Sequence, residues 1–299
     1  MRATPEVYAS GMDWELRHIR CLIAIAETGT LTDAGLALGL SQAQVSRTLR
    51  ALEAAWGVVL VRRQAREAVL TEEGQAAVVR GRHLLEIAGR LDAQMSGQRS
   101  LRLGYAWAAA GRHTVALQRG WDREQPGIDL ALVRVNGASA GLAEGLVDAA
   151  LVRTAPDARR YESVPVGVER RVAAFAADDP WASRSRVRMK DFAGRRLLVD
   201  TRAGTTNLQL WPAGAGPAGV LEVADIDGWL DALAAGRAVG ISSEATAQQH
   251  RRQGVRYRVI ADAPPLQVRL AWHRGEAVPG LEALCGLLRR LYGWSGYDA

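Results

Sequence analysis

The stretch "SQAQVSRTLR", Ser41 to Arg50, carries Gln42, Gln44, Ser46, Arg47 and Arg50 at helical spacing. Carboxamide, hydroxyl and guanidinium groups hydrogen-bond and pair with anions, and they are poor material for a core. Val45, Leu49, Leu52 and Trp56 give the same helix an apolar face, so the polar set has to look outward. Arg62, Arg63 and Arg66 follow shortly afterwards and make the densest basic cluster of the N-terminal third.

A second constellation is "GASAG", residues 137–141, which matches G-x-S-x-G between an expected strand and an expected helix. In that context Ser139 is a candidate nucleophile, and His250 and His273 follow it in the chain order a serine hydrolase uses. No oxyanion-type glycine motif precedes it. The alternative reading is a ligand contact at a helix start, where backbone N–H groups attract anions without catalysis. The five histidines are scattered without metal-ligand spacing, and no metal or cofactor is expected. Cys21 sits in an apolar helical pattern far from Cys285, which fits reduced thiols rather than a disulfide framework.

Composition sets loose bounds. The 299 residues suffice for two or three compact units. The 38 basic residues are arginine except for Lys190, and with 32 acidic residues they give a net charge of +6. That balance permits a polyanionic partner without requiring one. Basic and acidic residues balance over 1–95, so any nucleic-acid surface there is local. The N-terminus reads as a mobile arm over 1–14, in which Met12 is a possible start, and not as a signal peptide. No apolar run is long enough to span a bilayer, so no membrane partner is expected and a cytoplasmic location is.

Helical periodicity begins at Glu15 through Leu16, Ile19, Leu22 and Ile23. Thr30 or Thr32 caps a short helix ended by Gly39, and Ser41 caps the next, which Gly57 closes. Three short helices with the tight "LGLS" link form a helix-turn-helix. "VVLV" (58–61) and "AVL" (68–70) make a two-stranded wing. From Thr71 a long helical stripe runs to Met95 through Ala77/Val78, Leu84/Leu85, Leu91 and Met95, and a second copy of itself is its simplest partner. Gly74, Gly81 and Gly89 in that stripe allow a close approach.

Beyond Ser100 strands alternate with helices: strands at 101–105, 128–135 and 148–153, helices at 110–124 and over "SAGLAEGL". A second unit follows a polar loop at 154–161, with strands at 170–176, 196–200, 219–223, 238–241 and 255–260. Residues 264–274 and a helix at 279–292 return to the first unit. Two lobes joined by two crossings form a hinged cleft, with ligands beyond the carboxyl ends of the strands. The stretches 105–109, 136–139, 153–154 and 200–206 fall there, with Tyr105, Trp107, Ala108, Asn136, Ser139, Arg153, Asp200, Thr201, Arg202, Thr205 and Thr206 among them. An aromatic wall with one arginine suits a small organic anion.

Residues 15–74 closely resemble the N-terminal winged helix-turn-helix of LysR-type transcriptional regulators. The shared elements are Leu16-Arg17-His18, Thr30 to Thr32, Ser41-Gln42, Ser46-Arg47, Leu52-Glu53, Arg63, Arg66, Leu70-Thr71 and Gly74. A weaker likeness continues through "LRLGY", "LAEGLVDAALV", "DDPWA" and "WLDALAAGRAVGISSEA". The departures are Ala43 where proline is usual, Asp33 where a basic residue is common, Val61 for a wing phenylalanine, and a Gly/Pro-rich 211–219. The resemblance implies an α/β chain with a winged helix-turn-helix (15–71), a linker helix (72–96) and a two-lobed, periplasmic-binding-protein-like effector domain (97–299). Its lobe I is expected over 97–158 and 266–299, and lobe II over 159–265. It further implies a regulator, not an enzyme, working as a homodimer or homotetramer through linker helices, with double-stranded DNA and a small-molecule effector as partners. The helix from Ser41 would then enter the major groove. Gln42 and Gln44 would face adenine, Ser46 a base or phosphate, and Arg47 and Arg50 phosphate or guanine. Arg63 and Arg66 would hold the backbone or minor groove, with Thr30, Thr32 and Ser41 beside them. For Arg50, an ion pair with Glu53 or Glu15 stands as an even alternative.

Overall fold

The computed structural model describes residues 13–63, 67–96, 99–202 and 205–294. The chain divides into two compact units, Met1–Ser96 and Gly97–Ala299.

The first unit opens with α1 (Leu16–Thr28), α2 (Leu31–Leu38) and α3 (Gln42–Trp56), then β1 (Val61–Arg63), β2 (Ala68–Leu70) and α4 (Glu72–Met95). Ile19, Leu22, Ile25, Val45, Leu49 and Leu52 interlock in its core. The turn between α2 and α3 needs a left-handed residue at Gly39 (φ 66°), and Leu40 N–H then closes on Gly35 O at 2.8 Å. The half-buried Glu53 accepts the N–H groups of Leu60 (2.8 Å) and Val61 (3.2 Å), which fixes the wing to α3. β1 and β2 pair antiparallel, Val61 opposite Leu70 and Arg63 opposite Ala68. Thr71 Oγ1 accepts Gly74 N–H at 3.0 Å and donates to Val59 O at 2.8 Å, so α4 starts rigidly from the wing.

The apolar stripe of α4 splits in two. Ala77, Val78, Leu84 and Leu85 pack on the unit's own core, so the first half belongs to the domain. A Cβ at Gly74 would lie 2.1 Å from Leu60 O, and one at Gly81 2.7 Å from Ile19 Cγ2. Those two glycines therefore serve close packing within the domain rather than the approach of a partner. The second half keeps Ile87, Leu91 and Met95 exposed, Met95 at 76%.

The second unit holds two five-stranded sheets. Its elements begin with β3 (Ser100–Tyr105), α5 (Thr114–Glu124), β4 (Asp129–Arg134), β5 (Ala149–Val152), β6 (Tyr161–Glu169) and β7 (Arg171–Ala176). They continue with β8 (Arg196–Asp200), β9 (Gly219–Val223), α6 (Ile226–Ala234), β10 (Val239–Ser243), α7 (Glu244–Gln249), β11 (Val255–Val259), β12 (Leu266–His273) and α8 (Leu281–Tyr292). The lobe I sheet has the order β4-β3-β5-β12-β6 and the lobe II sheet β11-β7-β10-β8-β9. β3, β4 and β5 run parallel, as do β8, β9 and β10, while β6, β7, β11 and β12 pair antiparallel. Trp121, Leu103, Leu270 and Leu288 fill lobe I. In lobe II, Phe175, Trp181, Phe192 and Trp211 touch in sequence at 5.0–5.6 Å between ring centroids. The Gly/Pro-rich stretch after Leu210 is thus anchored by Trp211, whose Nε1 donates to Met189 O at 2.8 Å.

Three expectations need correction. The helix expected over "SAGLAEGL" is a run of turns: Ala140 (φ 49°) and Gly141 (φ 98°) both sit in left-handed geometry, which ends any helix before it propagates. A strand, β6, occupies Tyr161–Glu169, where none is expected. It pairs with β12 in the lobe I sheet, so the first crossing between lobes lies at Arg170 rather than near 158.

Candidate functional site

The first candidate surface is the outer side of α3. Ser41 and Gln44 form a reciprocal cap. Gln44 N–H reaches Ser41 Oγ at 3.3 Å, and Gln44 Oε1 accepts both Ser41 N–H and Ser41 O–H at 2.9 Å. The carboxamide oxygen of Gln44 is thereby occupied and its NH2 remains outward. Gln42, Arg47 and Arg50 are exposed. Among the described residues neither Arg47 nor Arg50 has an acidic partner within ion-pair distance. Glu53 serves the wing, and Glu15 pairs with Arg17 at 2.8 Å. Ser46 departs from the expected outward set: it is 6% exposed, on the Val45–Leu49 side of the helix.

Around this helix, Thr30 caps α2. Its Oγ1 accepts Asp33 N–H at 3.0 Å and donates to Asp33 Oδ2 at 2.7 Å, so Asp33 takes up the hydroxyl of this candidate DNA-facing residue. Thr32 is exposed on the first turn of α2. Arg62 is exposed on β1; Arg63 lies on the same strand, and Arg66 falls outside the described residues.

The second candidate site lies between the lobes of the second unit. The carboxyl ends of β3, β5, β8 and β10 meet there around a cavity of about 50 Å³. Trp107, Ala108, Arg153 and Thr205 line it, with Asp200, Thr206, Trp229, Ser242 and Thr246 among the other walls. Tyr105, Asn136, Ser139, Thr201 and Arg202 do not line it. Thr201 and Arg202 point to solvent. Asn136 instead joins the lobes, its Nδ2 donating to Ala224 O at 2.6 Å. Ser139 Oγ meets Glu144 Oε2 at 3.3 Å, while His250 Nε2 lies 2.6 Å from Trp107 O and His273 Nε2 2.8 Å from Leu142 O. No histidine pairs with Ser139 among the described residues; the partner of its hydroxyl is the Glu144 carboxylate.

Arg153 is a clamp more than a free cation. Its Nε and Nη2 grip Glu169 at 2.9 and 2.8 Å, and its Nη1 and Nη2 donate to Ala108 O and Ala109 O at 2.8 and 2.7 Å. Glu169 also accepts Tyr292 O–H at 2.8 Å. Burial opposes ionisation of Glu169, but Arg153 and the Ser243 and Tyr292 hydroxyls outweigh it and hold the carboxyl below its ordinary range. The clamp thus ties the loop after β3 to the end of β6, where the chain crosses between lobes. Asp200, which the strand-end rule placed at the cleft, lines the cavity, whereas sequence reasoning missed Trp229, Ser242 and Thr246. For Ser242 the strand-end rule was the available signal, since it lies near the end of β10.

The chain matches two family models. "Bacterial regulatory helix-turn-helix protein, lysR family" covers residues 16–75, and "LysR substrate binding domain" covers residues 95–292. It is 31% identical over 179 residues to a probable hydrogen peroxide-inducible genes activator of Mycobacterium xenopi, 58% of this chain and 95% of that one. It is 29% identical over 188 residues to the like-named protein of Mycobacterium avium, spanning 60% of each. Its fold is similar to that of full-length CbnR solved with its target DNA, with a TM-score of 0.69 at 24% identity over 93% of this chain and 99% of that one. A chain whose head is a winged helix-turn-helix, whose second unit is two sheets around a cleft, and which both models match across most of its length belongs to the LysR family of transcriptional regulators.

Proposed function

We propose that α3 reads duplex DNA in the major groove and that the lobed cleft takes a small-molecule effector that alters this reading. The observation that carries the first half is the outward set on α3: Gln42, Arg47 and Arg50 are exposed, and neither arginine has an acidic partner among the described residues, on a helix whose N-terminus is rigidly capped. Exposed unpaired guanidinium groups beside a carboxamide suit phosphate and adenine edges together. The exposed four-residue spacing of Ile87, Leu91 and Met95 on the distal half of α4 suits self-pairing, which would deliver two heads to adjacent half-sites as a homodimer or homotetramer. Effector binding shifts the closure of the lobes and so the spacing of the heads. The protein acts on the chromosome, in the cytoplasm, without enzymatic turnover.

The peroxide response in the relatives' names is not carried over to this chain. Burial pushes the Cys21 thiol up to about 11 and raises Cys285 as well, and thiolate is the form that peroxide oxidises. Neither lobe II nor the cleft lining contains a cysteine. The test is selection from a pool of randomised duplexes, followed by anisotropy titration of the enriched sequence. Enrichment of a two-fold symmetric site, with affinity lost on Gln42→Ala, is the expected result. A chain that enriches no sequence at low salt contradicts the reading.

A further inference from the structure

The cleft is charged differently from what its arginines suggest. Among the described residues lining the cavity, only Arg153 and Asp200 are charged. Arg153 is already neutralised by Glu169, both at under a tenth exposure, and two carbonyls take its remaining reach. Arg202, the cation expected to greet an anion, lies outside the cavity, and only its backbone N–H matters there, donating to Asp200 Oδ1 at 2.8 Å.

Asp200 is 7% exposed, and its second oxygen, Oδ2, is sealed from solvent without a hydrogen-bond partner among the described residues. Among the described cavity-lining residues, Trp107 Nε1 is the other buried polar atom without a partner. The two atoms have opposite needs, the carboxylate a donor and the indole N–H an acceptor. Trp107 also stands against Trp229 at 5.2 Å between ring centroids and 61° between planes, so two indoles flank the carboxylate's cavity. A buried carboxylate oxygen left without a donor is unfavourable, and the group that relieves it most fully is an ammonium, through a charge-assisted bond. Indole faces attract the same kind of group. An organic anion would meet Asp200 as a like charge and find the Arg153 fork already filled.

We propose that the effector of this chain is a small molecule bearing a protonated amine, bound through Asp200 Oδ2, with an uncharged acceptor such as a hydroxyl or carbonyl meeting Trp107 Nε1. This rests on reading the cleft as the effector site. The cavity of about 50 Å³ keeps the ligand small, and the lobes separate to admit it. Separation breaks the cross-lobe contacts that close the cleft, among them Asn136 to Ala224 and Gln249 Oε1 to Ala109 N–H at 2.8 Å.

The test is calorimetric titration of the full chain with three matched probes: ethanolamine, ethylene glycol and glycolate. Ethanolamine is expected to bind at least about tenfold more tightly than either of the others, and Asp200→Asn to abolish that preference. If Asp200→Asn fails to fold, the wild-type preference together with its retention in Asp200→Glu carries the test. Glycolate binding as well as ethanolamine, a preference that survives Asp200→Asn, or no ethanolamine binding in the millimolar range overturns the proposal. Thr205→Val separates this from the underlying reading. Binding of the uncharged or anionic probe that weakens in Thr205→Val keeps the cleft as the effector site and removes only the charge claim. Ethanolamine binding indifferent to both Thr205→Val and Asp200→Asn removes both.

Discussion

Arg47 and Arg153 are the same residue type put to opposite uses. Arg47 stands exposed on α3 with no acidic partner among the described residues. Arg153 is buried, forked onto Glu169 and bonded to two carbonyls. A surface that captures a polyanion from bulk water keeps its charge free and tolerates solvation. A hinge that must hold one geometry uses up its charge internally, because a buried unpaired guanidinium is too costly to leave available. The lesson is that the count of arginines says little about anion binding, whereas the count of unpaired ones says much.

The largest expected effect breaks the buried side of this comparison. Glu169→Gln leaves Arg153 without its counter-charge and should destabilise the chain by about 3–5 kcal/mol in urea unfolding at neutral pH. The carboxyl is held below its ordinary value of 4.5, so its stabilisation is full above that value and fades as pH falls through the lowered one. The gap between wild type and variant should therefore close in acid. A gap that stays constant from neutral to acid would remove the clamp's electrostatic role.

The exposed side is tested by two smaller effects that differ in kind. Gln42→Ala should cost about 1–3 kcal/mol on the preferred duplex and relax discrimination at one base pair. Arg47→Ala should weaken binding to all duplexes alike and reduce the salt slope by about one. Anisotropy titrations across salt, on preferred and scrambled duplexes, separate the two. Identical profiles for the two variants would show that α3 is not oriented with Gln42 towards the bases.

How far the sequence revealed the molecule follows the same division. The head was legible because most of its candidate DNA-facing residues lie outward on a short, locally encoded helix, and the caps at Thr30 and Ser41 with the stops at Gly39 and Gly57 are read directly off the chain. Ser46 misled because a small hydroxyl at the edge of the apolar face can be covered by neighbours that the helix period does not reveal. In the second unit the strands of the parallel cores stood out as β-branched and leucine runs. β6 did not, because Pro165 and Gly167 interrupt it. It tolerates them by lying at the sheet edge, where the pairing with β12 shifts register opposite these residues. The cleft was legible as a place but not as a chemistry. Strand ends located Trp107, Ala108, Arg153 and Thr205, whereas the isolation of Asp200 Oδ2 and the capture of Arg153 by Glu169 depend on elements far along the chain.

The smallest effect sharpens the boundary between stability and recognition within the head. Ser41→Ala removes the side-chain acceptor for Gln44 N–H and should cost about 1 kcal/mol of stability. It also removes one of the two donors that hold Gln44 Oε1, leaving only the Ser41 backbone N–H. If the cap is what aims the Gln44 amide outward, the variant should show altered preference at the base pair that Gln44 faces, with the Gln42 position unchanged. A stability loss of this size with base preference intact at both positions would mean that the cap holds the helix while the carboxamide finds its own orientation on DNA. The rigid orientation of Gln44 would then have no part in recognition.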